Sequence, residues 1–293
     1  MKKMILALTA LLFTGSAAVK AQVETRTVVR STILGGKKGE IVNIDNAKYR
    51  ITYEAKWVNN TSIKPFIYTD SEMRLDIGEK VTNFYDRTKQ VKDSLMQEKV
   101  KTGNFDFSDL PKGGCFPFSY YKNYPTAGKS IQLESVGTTD YQCTENVETP
   151  DWQLIPDSTA DIIGYHCQLA KTQFKGRTWF AWYAEDVPLQ EGPWKLIGLP
   201  GLILKAYDEN KEYTFTAVGM STLKTPSPIT ISKSKREEIS QKDPRQFKEK
   251  FTPSMVLEGI DLKNVKVQDE KGNPVDMKKV LNRKNVFNSI ELE

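Results

Sequence analysis

The sequence predicts a mainly β protein of the α+β type, built as a single curved antiparallel β-meander sheet or half-barrel with a few helices. Three observations predict this class. Apolar and polar residues alternate with period two in several windows, turn-forming residues separate these windows, and helical patterns are rare. The composition agrees, because 39% hydrophobic and 27% charged residues in a chain of 293 are typical of a folded globular protein.

Two windows show the alternation most clearly. Between Lys48 and Trp57 one side of the predicted strand carries apolar side chains and the other carries polar ones; the apolar set is Tyr49, Ile51, Tyr53 and Ala55. A second window begins at Tyr213, where Phe215 and Ala217 follow at every other position. Parallel strands that are covered on both faces give continuous apolar runs, so this alternation predicts antiparallel strands.

Short turn-forming stretches join the predicted strands into hairpins. Lys175-Gly176-Arg177 separates 165–174 from 178–185, and the polar stretch 208–211 separates 202–207 from 213–220. The middle of the chain is therefore predicted to be a meander, and the Gly- and Pro-containing stretch 101–129 a long loop.

Helices are expected in two places. The polar stretch 84–100 is predicted to be partly helical, and Ser234 with Glu237 forms a capping-box pattern. Asp243-Pro244 then predicts a further helix up to about Phe251. These patterns divide the chain into a signal peptide at 1–21, a β-rich domain at 22–230, and a helical C-terminal segment and tail of the same domain at 231–293.

The first 21 residues are predicted to be a secretory signal peptide. Lys2 and Lys3 precede a short apolar run, and small residues follow it, so cleavage is expected after Ala21, with Ala18 as the alternative. Cleavage removes three lysines and no acid, which lowers the net charge from +5 to about +2. The remaining charges are mixed in sign, which argues against a nucleic-acid surface, and no later apolar run predicts a membrane span.

Three cysteines enter the oxidising compartment that such a signal implies. An odd number allows at most one internal disulfide. Cys143–Cys167 is favoured over Cys115–Cys143, because Cys143 and Cys167 lie on segments interpreted as neighbouring strands. The spacing of the cysteines does not match a zinc site.

The usual catalytic patterns are missing from the sequence. His166 is the single histidine, which excludes sites built on several histidines, and Ala127-Gly128-Lys129-Ser130 lacks the earlier glycine that a phosphate-binding loop needs, since Asn123 stands there. No cofactor or metal is predicted. One enzyme hypothesis stays open: an unfamiliar site near His166 and Arg177, completed by nearby carboxylates at positions 185 and 186.

The segment 152–207 carries most of the information about contacts. It contains four of the five tryptophans, together with Phe174, Phe180, Tyr183 and Tyr207. It also contains an unusually apolar turn at 199–202, predicted to be of type II with Gly201 at the position of positive φ. Such a turn either folds into the core or contacts another apolar body. The candidate contact residues are Trp182, Trp194, Leu199, Pro200, Leu202 and Ile203.

These residues also carry a family resemblance. Gly198-Leu199-Pro200-Gly201-Leu202-Ile203 resembles the signature of the GLPGLI family of Bacteroidetes envelope proteins. Gly164-Tyr165-x-Cys167, Phe174-x-Gly176-Arg177 and Ala181-Trp182-Tyr183 resemble the strands that precede the signature, and 288–293 resembles the family's ending, with Ser289 where proline is common. The resemblance implies an exported, β-rich protein of the periplasm or outer envelope of a Gram-negative cell, and it implies no catalytic residues.

Taken together, the sequence favours a non-catalytic binding module for an apolar ligand, a peptide or an envelope protein. A purely structural envelope protein is the other non-enzymatic alternative. In that case the signature would serve folding alone.

Overall fold

A twelve-stranded antiparallel sheet dominates the computed structural model of the chain. The structure describes residues 5–6, 20–22, 39–102, 109–136, 139–240, 266–268 and 286–293. Its strands and its helix, in chain order, are β1 (Ile5–Leu6), β2 (Lys20–Gln22), β3 (Ile41–Val58), β4 (Tyr68–Ile77), β5 (Thr82–Asp86), α1 (Arg87–Thr102), β6 (Phe118–Lys122), β7 (Lys129–Val136), β8 (Thr139–Asn146), β9 (Gln153–Ile162), β10 (Tyr165–Phe174), β11 (Arg177–Ala184), β12 (Leu202–Asp208), β13 (Tyr213–Ser232), β14 (Glu237–Glu238) and β15 (Lys266–Gln268).

The large sheet consists of two meanders that meet in its centre. The strand order is β14-β8-β7-β6-β5-β4-β3-β13-β12-β11-β10-β9, so the long strands β3 and β13 form the central pair. All neighbours are antiparallel except β14 and β8, which are parallel. The mainly β meander predicted from the alternation is confirmed.

The sheet has to curve strongly because its two edges are joined by a short link. Strands β8 and β9 lie on opposite sides of the sheet, ten strand spacings apart, which in a flat sheet would be about 48 Å. The six residues 147–152 that connect them can span at most about 20 Å. The two sides of the sheet therefore approach each other, and an ion pair joins them: Lys195, between β11 and β12, pairs with Glu145 on β8.

Two tight hairpins have two-residue turns, and the sequence predicts the one at Lys175-Gly176. Lys175 and Gly176, between β10 and β11, have φ angles of 51° and 76°; Ile163 and Gly164, between β9 and β10, have 44° and 85°. Two consecutive positive φ angles are typical of type I′ turns, whose twist matches that of antiparallel strands.

The inner face of the curved sheet is filled by a single large apolar cluster. Its largest fully buried members are aromatic: Trp179, Trp194, Tyr53, Tyr183, Tyr213, Phe84, Phe116 and Phe215. Many of these rings meet edge to face, as Trp57 and Phe116 do at 5.3 Å between centroids. The inner side of the sheet is consequently a packed core and not an open apolar trough.

Helix α1 starts later than the polar pattern indicated, because residues 82–86 pair as β5. Asp86 ends the strand and caps the helix: its carboxylate accepts the Lys89 N–H at 2.7 Å and the Ser71 hydroxyl at 2.7 Å. Burial raises the pKa of Asp86, although these hydrogen bonds favour its charged form. Part of the predicted 101–129 loop is also ordered as β6.

The capping-box prediction at Ser234 is wrong. Ser234 instead accepts the Gly39 N–H at 3.1 Å, and Glu237–Glu238 pairs with β8 as β14. The strand partner satisfies the backbone groups that a helix would otherwise have paired, so tertiary pairing overrides the local signal. The predicted helix at 243–251 lies outside the described residues.

A separate three-stranded sheet consists of β1, β2 and β15. Cleavage after Ala21 would remove β1 and most of β2, so this small sheet would belong to the precursor alone. No helix among the described residues is both long and apolar enough to cross a bilayer.

Candidate functional site

The signature segment, residues 198–203, runs from the β11–β12 connection into β12, and its leucine and isoleucine side chains are buried. Leu199, Leu202 and Ile203 are at most 1% exposed. Its backbone is tied down by hydrogen bonds: Leu202 N–H donates to the Val187 carbonyl at 3.0 Å, and the Tyr53 hydroxyl donates to the Ile203 carbonyl at 2.7 Å. Of the two alternatives for this turn, the structure therefore favours burial.

The two glycines of the signature have different structural roles. Gly198 has a φ of 93°, in the left-handed region that favours glycine. Gly201 does not have a positive φ, so the predicted type II turn is wrong. A Cβ at Gly201 would lie 2.1 Å from the Ala184 carbonyl oxygen, which means that this glycine permits close packing against the end of β11.

Burial divides the six predicted contact residues into two groups. Trp194, Leu199, Leu202 and Ile203 belong to the core and cannot reach a partner in this conformation. Trp182 is half-buried and Pro200 is exposed. Only these two can meet another molecule without rearrangement of the fold.

Trp182 belongs to a patch that we call the outer ridge, formed by Leu169, Phe180, Trp182 and Tyr207 with Lys171 and Lys205 beside them. The register places Leu169, Trp182 and Lys205 in one cross-strand row. Lys171, Phe180 and Tyr207 form the next row. Strand alternation puts Phe180 and Tyr207 on the face opposite the buried Trp179, because successive side chains point to opposite sides. Trp182 lies at a β-bulge, and its half-buried side chain also packs against the core cluster.

The rings of the outer ridge are accessible and ordered. Phe180 and Tyr207 stack at 5.5 Å between centroids and 14° between planes, and the Lys205 ammonium lies 6.0 Å from the Tyr207 ring centroid. All four apolar members are half-buried. Contiguous aromatic groups at a surface, flanked by polar ones, are characteristic of binding sites.

A second feature is a polar pocket between β6–β8 and the 286–293 segment. Its volume is about 40 Å³, which holds a few water molecules and no larger ligand. Its polar lining consists of Gln132, Glu134, Glu145, Lys195, Ser289, Glu291 and Glu293. The Gln132 Oε1 atom is buried there without a hydrogen-bond partner.

Lys195 is the central charge of this pocket. It is 5% exposed and pairs with Glu145 and with Glu291, the latter at 2.7 Å. Burial acts to lower the pKa of Lys195, but the two carboxylates outweigh it and the net shift is upward. Burial also raises the pKa of Glu145, and Lys195 opposes that shift. The pocket thus contains a buried ionic cluster of one ammonium group and two carboxylates. Within the described ranges no group of three or more His, Cys, Asp or Glu could hold a metal ion.

The residues of the proposed enzyme site do not converge. His166 is exposed near the β9–β10 turn and lies 3.3 Å from Asp161. Arg177 follows the far end of β10, about 25 Å away along the strand, and is buried. Glu185 and Asp186 are exposed. This particular catalytic arrangement is therefore not formed.

The predicted Cys143–Cys167 disulfide is not formed either, and all three cysteines are free. Cys143 lies on β8 and Cys167 on β10, which are not neighbours in the sheet, so the interpretation of their segments as adjacent strands is wrong. Burial raises the pKa of each thiol to about 11, helped by Glu145 for Cys143 and by Asp161 for Cys167.

Thiol titration checks this arrangement. We expect one thiol per native chain, Cys115, to react with Ellman's reagent at pH 8, because it is exposed. Desolvation raises the pKa of Cys115, so this reaction should be slower than that of a free thiol. Cys143 and Cys167 should react only on unfolding, since burial blocks access and a pKa about three units above the pH leaves roughly one thiolate per thousand. Three thiols should appear in guanidinium without reductant; one thiol there would instead show that the disulfide forms.

Sequence reasoning missed the Lys195 cluster and the pairing of Phe180 with Tyr207. A signal for the first was present, because Lys195 is the lone charge in the apolar stretch 192–204. A buried charge needs a partner, but nothing local identified Glu145 or Glu291.

Comparison with known proteins yields one family match. The family model described as "N-glycanase peptide, N-terminal domain" matches residues 121–248, which is less than half of the chain. Among curated proteins, no significant match was found.

Two solved structures of PNGF-II are similar at low identity. The P21 form has 16% identity and a TM-score of 0.43 over 69% of this chain; the C2 form has 16% identity and 0.41 over 68%. In both cases this chain covers 32% of the other, so it spans about a third of the length of the PNGF-II chain.

Proposed function

We propose that this chain is an exported, envelope-located binding module that contacts the glycan of N-glycosylated proteins through the outer ridge. We further propose that it belongs to the GLPGLI group that its signature resembles, and that the signature itself serves folding. The observation that carries the proposal is the accessible aromatic patch around Trp182 on a sheet whose inner face is already full. The match to an N-glycanase N-terminal domain supports a glycan as the ligand class.

The chemistry of the outer ridge suits a carbohydrate. Sugar rings present flat C–H faces that pack on aromatic rings, and their hydroxyls need polar neighbours. Trp182, Phe180 and Tyr207 offer the aromatic faces, and Lys171 and Lys205 lie at their edges. An apolar small molecule finds no comparable place on the inner face, because packed side chains fill it.

Surface plasmon resonance tests the proposal with the mature full-length chain. Ribonuclease B carries an N-glycan and ribonuclease A is the same polypeptide without it; an immobilised panel of N-glycans extends the test to other structures. We expect saturable binding to a glycan-bearing surface and none to ribonuclease A. Trp182→Ala should weaken it roughly tenfold, which corresponds to about 1.4 kcal/mol.

Phe66→Ala is the matched control. Phe66 is also a half-buried surface aromatic, but it lies in the β3–β4 connection, away from the outer ridge. The control should bind like the wild type. Absence of binding to every glycan, equal binding to both ribonucleases, or an unchanged affinity in the Trp182 variant would each contradict the proposal.

A further inference from the structure

The 286–293 segment lies in a groove and is held there by hydrogen bonds and an ion pair to its side chains and backbone. We call the site the Arg177 groove; it is formed by Val58, Lys175, Gly176, Arg177, Lys195, Glu212 and Tyr213. At one end of the segment, the Asn288 side-chain amide donates to the Val58 carbonyl at 3.0 Å and to Glu212 at 3.1 Å. The Tyr213 hydroxyl donates to the Asn288 carbonyl at 2.5 Å.

Arg177 donates hydrogen bonds to the backbone of the segment and to one of its side chains. Its guanidinium donates to the Ile290 carbonyl at 3.0 Å, the Ser289 carbonyl at 2.5 Å and the Asn288 side-chain oxygen at 2.9 Å. Asp208 and Glu212 bind the same guanidinium at 3.0 and 2.8 Å, and the Tyr213 ring lies 5.0 Å from it. The donors are therefore held in position by groups outside the segment. Because these donors are already ordered, binding of the carbonyls costs little conformational entropy.

The side chains of the segment occupy separate sites in the groove. Ile290 is 4% exposed and belongs to the core cluster, and Glu291 pairs with Lys195. Further along, Leu292 N–H donates to the Lys175 carbonyl at 3.0 Å, and Gly176 N–H donates to the Glu293 carboxylate at 3.1 Å. The groove thus provides a matching contact for asparagine at 288, for an aliphatic residue at 290 and for an acid at 291. Backbone hydrogen bonds combined with side-chain pockets are the means by which domains recognise extended peptides.

We propose that the Arg177 groove is a peptide-recognition site that takes this segment from a second copy of the chain as well as from its own. None of the contacts depends on the covalent link between the segment and its own sheet. In the sequence, the 47 residues 239–285 separate the segment from β14, the last strand of its own sheet, and covalent geometry lets a stretch of that length reach an adjacent molecule. The inference does not rest on the glycan proposal, since the groove and the outer ridge share no residue.

Fluorescence anisotropy on the full-length chain tests the inference. The probe is a labelled peptide of residues 286–293, and the receiving chain carries Asn288→Ala, which weakens its own segment without changing the groove. We expect saturable binding to this variant, roughly tenfold tighter than to the wild type, whose own segment competes at a high effective concentration.

Two control peptides define the specificity. A peptide with Ile290→Asp should not bind, because it would place a charge in the core. A peptide with Ser289→Ala should bind like the parent, since Ser289 offers its carbonyl to Arg177 and alanine keeps that carbonyl. Equal binding of all three peptides, or no binding by either chain, would overturn the proposal.

A second measurement covers the case in which the Asn288 variant does not fold. The wild-type chain is incubated with a peptide that carries a photo-crosslinking phenylalanine at position 287, and crosslinks are expected to Phe118 and Tyr213, which line the same pocket as Phe287. Native mass spectrometry should also show a concentration-dependent dimer that Ile290→Asp abolishes. Crosslinks scattered over the surface, or a monomer at every concentration, contradict exchange with a second copy.

Discussion

A chain with Arg177→Leu is expected to lose about 3–5 kcal/mol of its free energy of unfolding at pH 7. The substitution leaves Asp208 buried, at 2% side-chain exposure, without the cation that balances it. It also removes the donors that hold the carbonyls of Ser289 and Ile290. Urea unfolding monitored by tryptophan fluorescence measures the loss. Arg74→Leu is the matched control, because Arg74 pairs with the exposed Glu72 and should contribute under about 1 kcal/mol.

The deficit of the Arg177→Leu variant should shrink as the pH is lowered from 7 to 5. Burial already raises the pKa of Asp208 above its ordinary 3.8, while the Tyr213 N–H and Arg177 act to lower it. Without Arg177 the folded-state pKa rises further, so the folded variant binds a proton that the unfolded chain does not. Stability from such a group is fully present below the unfolded pKa and is lost as the pH rises through the folded pKa. An equal deficit at both pH values would show that Asp208 is not the cause.

Gly201→Ala should cost about 2–3 kcal/mol, which for a chain of this size lowers Tm by roughly 5–10 °C. The added methyl group would lie 2.1 Å from the Ala184 carbonyl oxygen and 2.9 Å from the Glu185 Cα, and backbone cannot move aside cheaply. Differential scanning calorimetry measures the shift. Ligand binding by the outer ridge should be unchanged wherever the variant is folded, because the signature contributes to folding and not to contact.

Gly219→Ala provides the control for this prediction. Nothing lies within 4 Å of a Cβ built at Gly219, and its φ is not in the left-handed region. Alanine there should change the free energy of unfolding by about 0.5 kcal/mol or less. Equal Tm values for the two alanine variants would refute the packing role assigned to Gly201.

Much of the fold could be predicted from local sequence patterns. The alternation around Tyr53 and Phe215 depends only on which residues follow one another, and both strands form with the expected faces buried. The Lys175-Gly176 turn is likewise a local property, since glycine tolerates the positive φ that a two-residue hairpin needs. Local signals failed where a distant strand competed, as at Glu237, which pairs with β8 instead of starting a helix.

The candidate sites could be anticipated only in part. The aromatic density around Trp182 was visible, and so was the isolated charge of Lys195. Their roles depended on burial, and burial is decided by residues far apart in the chain: Trp194 is covered while Trp182 remains half-exposed, although both were candidates on equal grounds.

Strand type, turn positions and the apolar character of the signature follow from the order of the amino acids, because each depends on the conformational preferences of a few adjacent residues. The placement of β9 opposite β8, the meeting of Arg177 with residues more than 100 positions away, and the separation of Cys143 from Cys167 required the tertiary structure. These features arise when the curved sheet brings its edges together, and that closure depends on long-range pairing that no short stretch of sequence encodes.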